Sequence, residues 1–528
     1  MGQCTKTHKL CSTPLHETPA LPSRVIDLGS EERIAPRLLL VNGGTPLLPY
    51  ATLSHCWGTH VPFRLLSSNL STLGKEIPVS HLSKSFQDAL LVTRRLGLRY
   101  LWIDSLCIIQ DSDSDWQEQS AAMAQVYSNS YCNIAAAHAT DGTHGCFVER
   151  NPDLVKPLKV YLNWGPHPGT YYAIQWLYWR KNVMHTPLVG RAWVCQERFL
   201  SPRNLYFGAT QLYWECCEVS ASESFPRGLP PGVGSPGLKG LDPHIDGART
   251  RKELALPDNP DLNVFSLWNR VVSAYSMAKL TYSTDKLVAL SGLAARIQKY
   301  TKCQYLAGMW RHHLAYQLLW EVAGIQWVVS RERREIYTAP SWSWASIHGH
   351  IEGACIIWHA DDRDVVLDIL EVGVELVSNN NPFGQVKSGF LRVRCSLAKA
   401  GVHVEESQSN QGSYELFISG LKAGIASLDF ENRERERTIH EDFYYLPVRY
   451  NSHCEEGVRG GEFMSVPEVS GLILRSTGPE AQKFVRIGKF DVYGHNEFRS
   501  ACWQYSRQLG KDEQSLGEWG QKWEILIL

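Results

Sequence analysis

The sequence has no apolar run approaching 18 residues, so it offers no helix of membrane-spanning length. It also has almost no net charge: 53 Lys and Arg stand against 54 Asp and Glu, a formal balance of −1. That balance argues against a whole-chain electrostatic grip on nucleic acid or an acidic membrane surface. No C-x-x-C occurs among the fourteen cysteines, and no His pair completes a zinc-finger spacing. The start, MGQCTKTHKL, lacks the apolar centre of a secretory signal, and Lys6 stands where a myristoylation signal needs Ser or Thr. The expectation is therefore a cytoplasmic chain with reduced thiols, no metal, and cysteines that act mostly as small buried hydrophobes. The P-loop, the G-x-G-x-x-G turn after the first strand, the G-x-S-x-G elbow and H-E-x-x-H are all missing, which excludes those phosphate, hydrolase and zincin sites.

What is present is enough apolar material for substantial cores, 44% of 528 residues, and a length that suits two or three domains. Residues 1–48 mix Pro, Thr and His without lasting periodicity and read as a loosely ordered arm. From Tyr50 the texture changes. Residues 51–55 read as a short buried strand. Leu82, Phe86, Ala89, Leu90, Thr93 and Leu96 follow at helical spacing, and Gly97 stops that helix. Residues 99–103 form a second apolar strand. Asp113 or Ser114 is placed to cap a further helix that carries Trp116, Ser120, Met123 and Tyr127 on one face. Residues 131–137 form a third strand. Alternating strands and helices predict a parallel α/β sheet, whose strand ends gather on one edge, where ligands of open α/β sheets bind. His55, Cys56 and Trp57, then Asp104 and Ser105, then His138 immediately follow the three strands.

The remainder divides by texture. Residues 145–189, rich in Pro, Gly, Trp and Tyr, read as an insertion. Residues 190–199 form a helix with Trp193, Gln196 and Glu197, and 204–207 and 211–216 are strands. Ten of the twenty residues 224–243 are Pro or Gly, which marks a linker or long loop. Helical patterns occupy about 263–278, 284–300 and 304–321, and the chain turns strand-like after Pro340. The expected domains are thus an arm over 1–48, an α/β domain over 49–218, a linker over 219–262, a helical region over 263–339 and a mainly β region over 340–528. Trp342 and Trp344 are expected half-buried where the β region meets the helices.

Each candidate residue has a functional and a structural reading. Cys56 is a nucleophile only if an imidazole reaches it. His55 points to the opposite face of the strand, which leaves His138; a buried structural thiol is the simpler account. Asp104 either caps the turn after its strand or presents a carboxylate to a ligand. Glu118 and Gln119 lie near a helix start, where a carboxylate gains from the helix dipole or faces solvent. Glu197 and Arg198, beside Trp193, form a structural ion pair or part of a site. The alternating charges over 431–437 read as a solvated face.

These motifs together resemble the fungal heterokaryon-incompatibility (HET) domain. They are YATLSHCWG at 50–58, Ile77-Pro78 leading into SFQDA at 85–89, LGLRYLWIDSLCIIQD at 96–111, Asp115-Trp116, Met123, VYSN at 126–129 and RAWVCQER at 191–198. Weaker matches lie at 285–292, 340–346 and 470–475. The resemblance implies non-self recognition and programmed cell death through protein partners in incompatibility signalling, with homo-oligomers allowed. It further implies a distant likeness to TIR domains, some of which cleave NAD at a glycosidic bond, so NAD is a candidate substrate and no resident cofactor is implied. The candidate catalytic residues are His55, Asp104 and Glu118; the candidate binding residues are Trp57, Ser105, Trp193 and Glu197. Two departures from the family pattern are Gln119, where Glu is frequent, and Ala192, where Gly is usual.

Overall fold

Four short segments are buried along almost their whole length, as strands covered on both faces must be. They are β3 (Tyr50–Ser54), β4 (Tyr100–Trp102), β5 (Cys132–Ala135) and β8 (Arg203–Phe207). In the computed structural model they lie side by side in the order β4-β3-β5-β8, all parallel. The structure describes residues 1–12, 21–30, 35–42, 49–58, 63–230, 233–234, 239, 260–323, 336–352, 364–379, 381–400, 414–418, 421–429, 443–450, 457–459, 462–464, 469–478, 482–492 and 522–528. The charge run at 431–437 and most of the Pro/Gly-rich stretch lie outside these residues.

Antiparallel strands flank the parallel centre. On one side are β1 (Arg24–Asp27) and β2 (Arg37–Leu40), with β1 against β4; on the other are β9 (Leu212–Cys216) and β10 (Ser220–Ser222), with β9 against β8. The sheet is therefore mixed and eight-stranded, wider than the parallel core read from sequence. The segment expected as a loose arm supplies two of its strands. Its alternation is too short to register as a period: Val25, Ile26 and Leu38 are buried, but each strand is only four residues long. The arm also begins with two short helices, α1 (Gly2–Thr7) and α2 (Lys9–Ser12).

The helices between the strands follow their sequence signals. Beyond the single-turn helix α3 (Leu70–Leu73), α4 (Lys84–Arg95) buries Phe86, Ala89, Leu90 and Thr93 on one face, and Gly97 at φ +74° ends it in the left-handed conformation a glycine supplies. After the one-turn helix α5 (Asp104–Cys107), α6 (Asp113–Ser128) buries Ser120, Met123 and Tyr127 as expected. Its cap is Ser112, one residue before the expected Asp113, with Oγ accepting from the Asp115 amide at 3.3 Å. Asp115 is held instead by Arg24 of β1, at 2.5 and 2.7 Å. The insertion holds the hairpin β6 (Leu158–Leu162) and β7 (Gly169–Ala173), and α7 (Ala192–Leu200) then leads into β8.

Two compact units emerge: residues 1–255 with 278–280 and 288–296, and residues 256–277, 281–287 and 297–528. The second unit is rich in sheet. Its strands run 368–376, 386–396, 522–527, 483–492, 469–476, 443–450 and 398–400 in spatial order, antiparallel except between 483–492 and 522–527. Leu428, Phe443, Tyr445, Ile473 and Phe490 form a core on this sheet. The 263–278 helix is found at Pro260–Ser276, whereas the helix expected from 284 begins only at Ser291. The expected 304–321 helix is corrected to two short strands and a single turn at Leu314–Gln317. Its backbone turns left-handed at Ala307, Gly308 and His313, which no helix tolerates. Gly308 permits a close approach: a side chain there would meet the Trp344 indole, and its carbonyl accepts from both Trp268 Nε1 and Trp344 Nε1 at 2.8 Å. With its N–H satisfied in this way Trp344 is fully buried, and so is Trp342, not half-buried as expected.

Candidate functional site

The ends of β3 and β4 bring residues 55 and 104 together. His55 Nδ1 lies 3.7 Å from Asp104 Oδ1, and Trp57 Nε1 donates to Asp104 Oδ2 at 3.0 Å. Asp104 Oδ1 also accepts the Ser105 amide at 2.7 Å, so one carboxylate holds both the adjacent amide and the indole. Its side chain keeps 23% of its surface exposed. His55 is buried between the stacked ring of Trp57 and the edge of Phe86, and its Nε2 has no hydrogen-bond partner among the described residues. Its carbonyl accepts from the Arg191 guanidinium. Gly58 closes this loop at φ +68°, where a Cβ would come within 2.3 Å of Asp141 Cβ.

Burial pushes the His55 imidazole down to about 4; the Asp104 charge opposes that shift and the Arg191 charge adds to it. The ring is therefore neutral near pH 7 and too weak a base to exchange protons there. The group that titrates near neutrality is Glu197 of α7. Burial raises its carboxyl to about 7 and the Asp104 charge contributes, against the charge of Arg191 and hydrogen bonds from Ser54 and Tyr127. Ser54 Oγ donates to Glu197 Oε2. The two acids, whose charges interact, differ in environment: Asp104 is partly solvated, while Glu197 is enclosed at 4% exposure. An enclosed carboxyl raised to about 7 is the kind of group from which a site draws a proton donor.

Behind Glu197 runs a polar ladder that sequence reading missed. Thr52, Asn133, Asn204 and Glu215 face one another in register across β3, β5, β8 and β9. Thr52 Oγ1 donates to Asn133 Oδ1 at 3.0 Å, Asn133 Nδ2 to Asn204 Oδ1 at 3.0 Å, and Asn204 Nδ2 to Glu215 Oε2 at 3.5 Å. Ser54 joins it through Asn133 at 3.1 Å. Arg198 closes the far end with a two-pronged contact to Glu215 at 2.9 and 2.6 Å, so the Glu197–Arg198 ion pair considered from sequence is replaced by Arg198–Glu215. A polar residue within each of these mostly apolar strands was the available signal.

The other candidates separate. Ser105 is fully buried, with its hydroxyl unpartnered among the described residues. Glu118 lies on the exposed face of α6, while Gln119 is buried and accepts from Ser23 Oγ at 2.9 Å; a neutral amide suits that enclosed contact. Trp193 is half-buried on α7. His138 is tied through Nδ1 to the Phe207 carbonyl at 3.1 Å. Cys56 sits in an apolar cluster with Ala135, Tyr206 and Val194, where burial raises its thiol. It has the environment of a structural cysteine and not of a nucleophile.

No helix among the described residues is long and apolar enough to cross a membrane. Neither the curated proteins nor the solved structures contain a match to the chain. A family model does match, over a span that starts at β3, ends within α7 and holds every residue of the sheet-edge site: residues 50–197 match the family described as heterokaryon incompatibility protein (HET).

Proposed function

We propose that this chain is an effector of fungal vegetative incompatibility, which drives growth arrest and cell death through its HET domain after contact with a protein partner. The observation that carries this reading is the coincidence of the family match at 50–197 with a sheet edge where Trp57, His55 and Asp104 are locked together. A partly exposed carboxylate fixed by an indole is a rigid polar feature suited to recognition. The reading is tested by inducing the full chain in a filamentous fungus and scoring colony growth and viability staining. Arrest after induction supports it; normal growth at high soluble expression contradicts it.

A second reading is favoured by Glu197, whose carboxyl titrates near 7 beside the Asp104 charge. Such a pair suits cleavage of a glycosidic bond: a protonated carboxyl assists the leaving group, and a fixed carboxylate stabilises positive charge on the ribose. The domain would then be a TIR-like NAD glycohydrolase that kills by depletion. NAD and nicotinamide measured in the same induced cells separate the two. A fall in NAD before arrest supports the enzyme, and arrest at constant NAD supports the partner-recruiting effector.

A further inference from the structure

Three thiols and an imidazole converge far from the sheet edge described above. Cys4 of α1, His8 between α1 and α2, Cys11 of α2 and Cys216 at the end of β9 place their ligand atoms within 4.8 Å of one another. The first three lie within eight residues, on either side of the extended turn at His8 that separates α1 from α2. The fourth arrives from more than 200 residues away, which is why no local zinc spacing marks it. We propose that Cys4, His8, Cys11 and Cys216 bind a structural zinc ion that fastens the N-terminal helices to the sheet.

The geometry and the chemistry agree. A tetrahedral zinc with bonds of about 2.3 Å to sulfur and about 2.0 Å to nitrogen sets each nitrogen–sulfur edge near ~3.6 Å. His8 Nδ1 lies 3.8 Å from Cys11 Sγ and 3.4 Å from Cys216 Sγ. Three soft thiolates and one imidazole select zinc over hard cations, and four protein ligands close the coordination shell. The three cysteines are at most 5% exposed, as a structural site requires. Cys4 and His8 also line a cavity of about 270 Å³, which gives the ion a way in.

The surroundings add an independent sign. Three thiolates on one zinc leave the site with a net negative charge. Arg203, 7% exposed, donates Nε to Cys4 Sγ at 3.4 Å and Nη2 to the Cys11 carbonyl at 2.8 Å. Its remaining contacts among the described residues are the Tyr131 carbonyl at 3.1 Å and the Tyr131 ring, so its buried charge meets no carboxylate. A buried cation needs a counter-charge, and a zinc-bound thiolate supplies one. The same segment is held from the other side, where Leu10 N donates to Glu218 Oε1 at 2.9 Å.

The test uses the full chain with a C-terminal tag, purified from zinc-supplemented medium without chelator. Elemental analysis is expected to find about one zinc per chain. Cys4→Ser, Cys11→Ser and Cys216→Ser should each lower that content several-fold, and Cys303→Ser should not. Cobalt exchanged into the wild type should show the visible bands of a tetrahedral thiolate site. Should the variants fail to fold, alkylation mapped by mass spectrometry on the wild type decides: Cys4, Cys11 and Cys216 should be protected until a chelator is added. Folded protein without zinc, free alkylation of those three thiols, a disulfide among them, or zinc retained in all three variants would each overturn the proposal.

Discussion

Trp57 donates its indole N–H to Asp104 Oδ2 at 3.0 Å across 47 residues of sequence. This bond joins the loop after β3 to the first turn after β4, and it sets the shape of the sheet edge. Replacing Asp104 with Ala removes the acceptor from a half-buried donor. The expected cost is about 1 kcal/mol in urea unfolding, with a change in Trp57 emission. Asp104→Asn keeps an acceptor and should cost less. Equal stability loss in the two variants would show that the indole bond does not order the edge.

The pH dependence of stability follows from two buried groups of opposite sign. His55, held near 4 in the fold and ordinarily near 6.5, takes up a proton only on unfolding between those values, so it lowers stability as pH falls through that window. Glu197, raised to about 7 from 4.5, is protonated in the fold and ionised in the unfolded chain between those values, so it raises stability as pH falls. From about 6.5 to 4.5 the two effects oppose each other. Glu197→Gln removes one of them. The variant should gain on the wild type by an amount on the order of 3 kcal/mol above pH 7, and the gap should close towards pH 4.5. A gap independent of pH in paired urea titrations would contradict the assignment.

Gly58 combines φ +68° with a missing side chain 2.3 Å from where Asp141 Cβ lies. Gly58→Ala should therefore cost at least ~1–2 kcal/mol for the backbone alone, with a further loss from the displaced Asp141 loop. Thermal unfolding measures this. A variant as stable as the wild type would mean that the loop rearranges freely.

Arg486 in the second unit is fully enclosed, bound to Asp429 at 3.0 and 3.1 Å and to the carbonyls of Leu318 and Trp320, with its guanidinium 3.4 Å from the Trp320 ring centre. Asp429→Ala leaves that charge without its anion and should cost about 3–5 kcal/mol. Replacing both residues with apolar ones of similar size should recover much of the loss. If the single substitution is silent in calorimetry, the ion pair does not hold the unit.

The parallel centre of the first sheet was legible because its strands are short apolar runs and the first two are each followed by a helix, as from Leu82 to Gly97. Its antiparallel edge at β1 and β2 was not. Residues 24–27 and 37–40 are too short to show alternation, and their pairing is fixed by β4 and not by their own sequence. His55, Trp57, Asp104 and Ser105 lie at one edge, as the sequence reading expected, because topology places strand ends together. Glu118 faces solvent because a one-residue step on a helix turns a side chain by about 100°, which puts Gln119 inside instead. The importance of Glu197 depends on its burial next to Ser54, and the link from Cys4 to Cys216 depends on the fold; sequence spacing encodes neither.

The most direct measurement is colony growth after induction of the wild type, His55→Ala and Asp104→Asn in one fungal host, each confirmed folded by circular dichroism and matched in soluble level. If the sheet edge is the effector surface, the wild type arrests growth and both variants relieve the arrest. Folded variants at equal level that arrest growth as strongly as the wild type would contradict it.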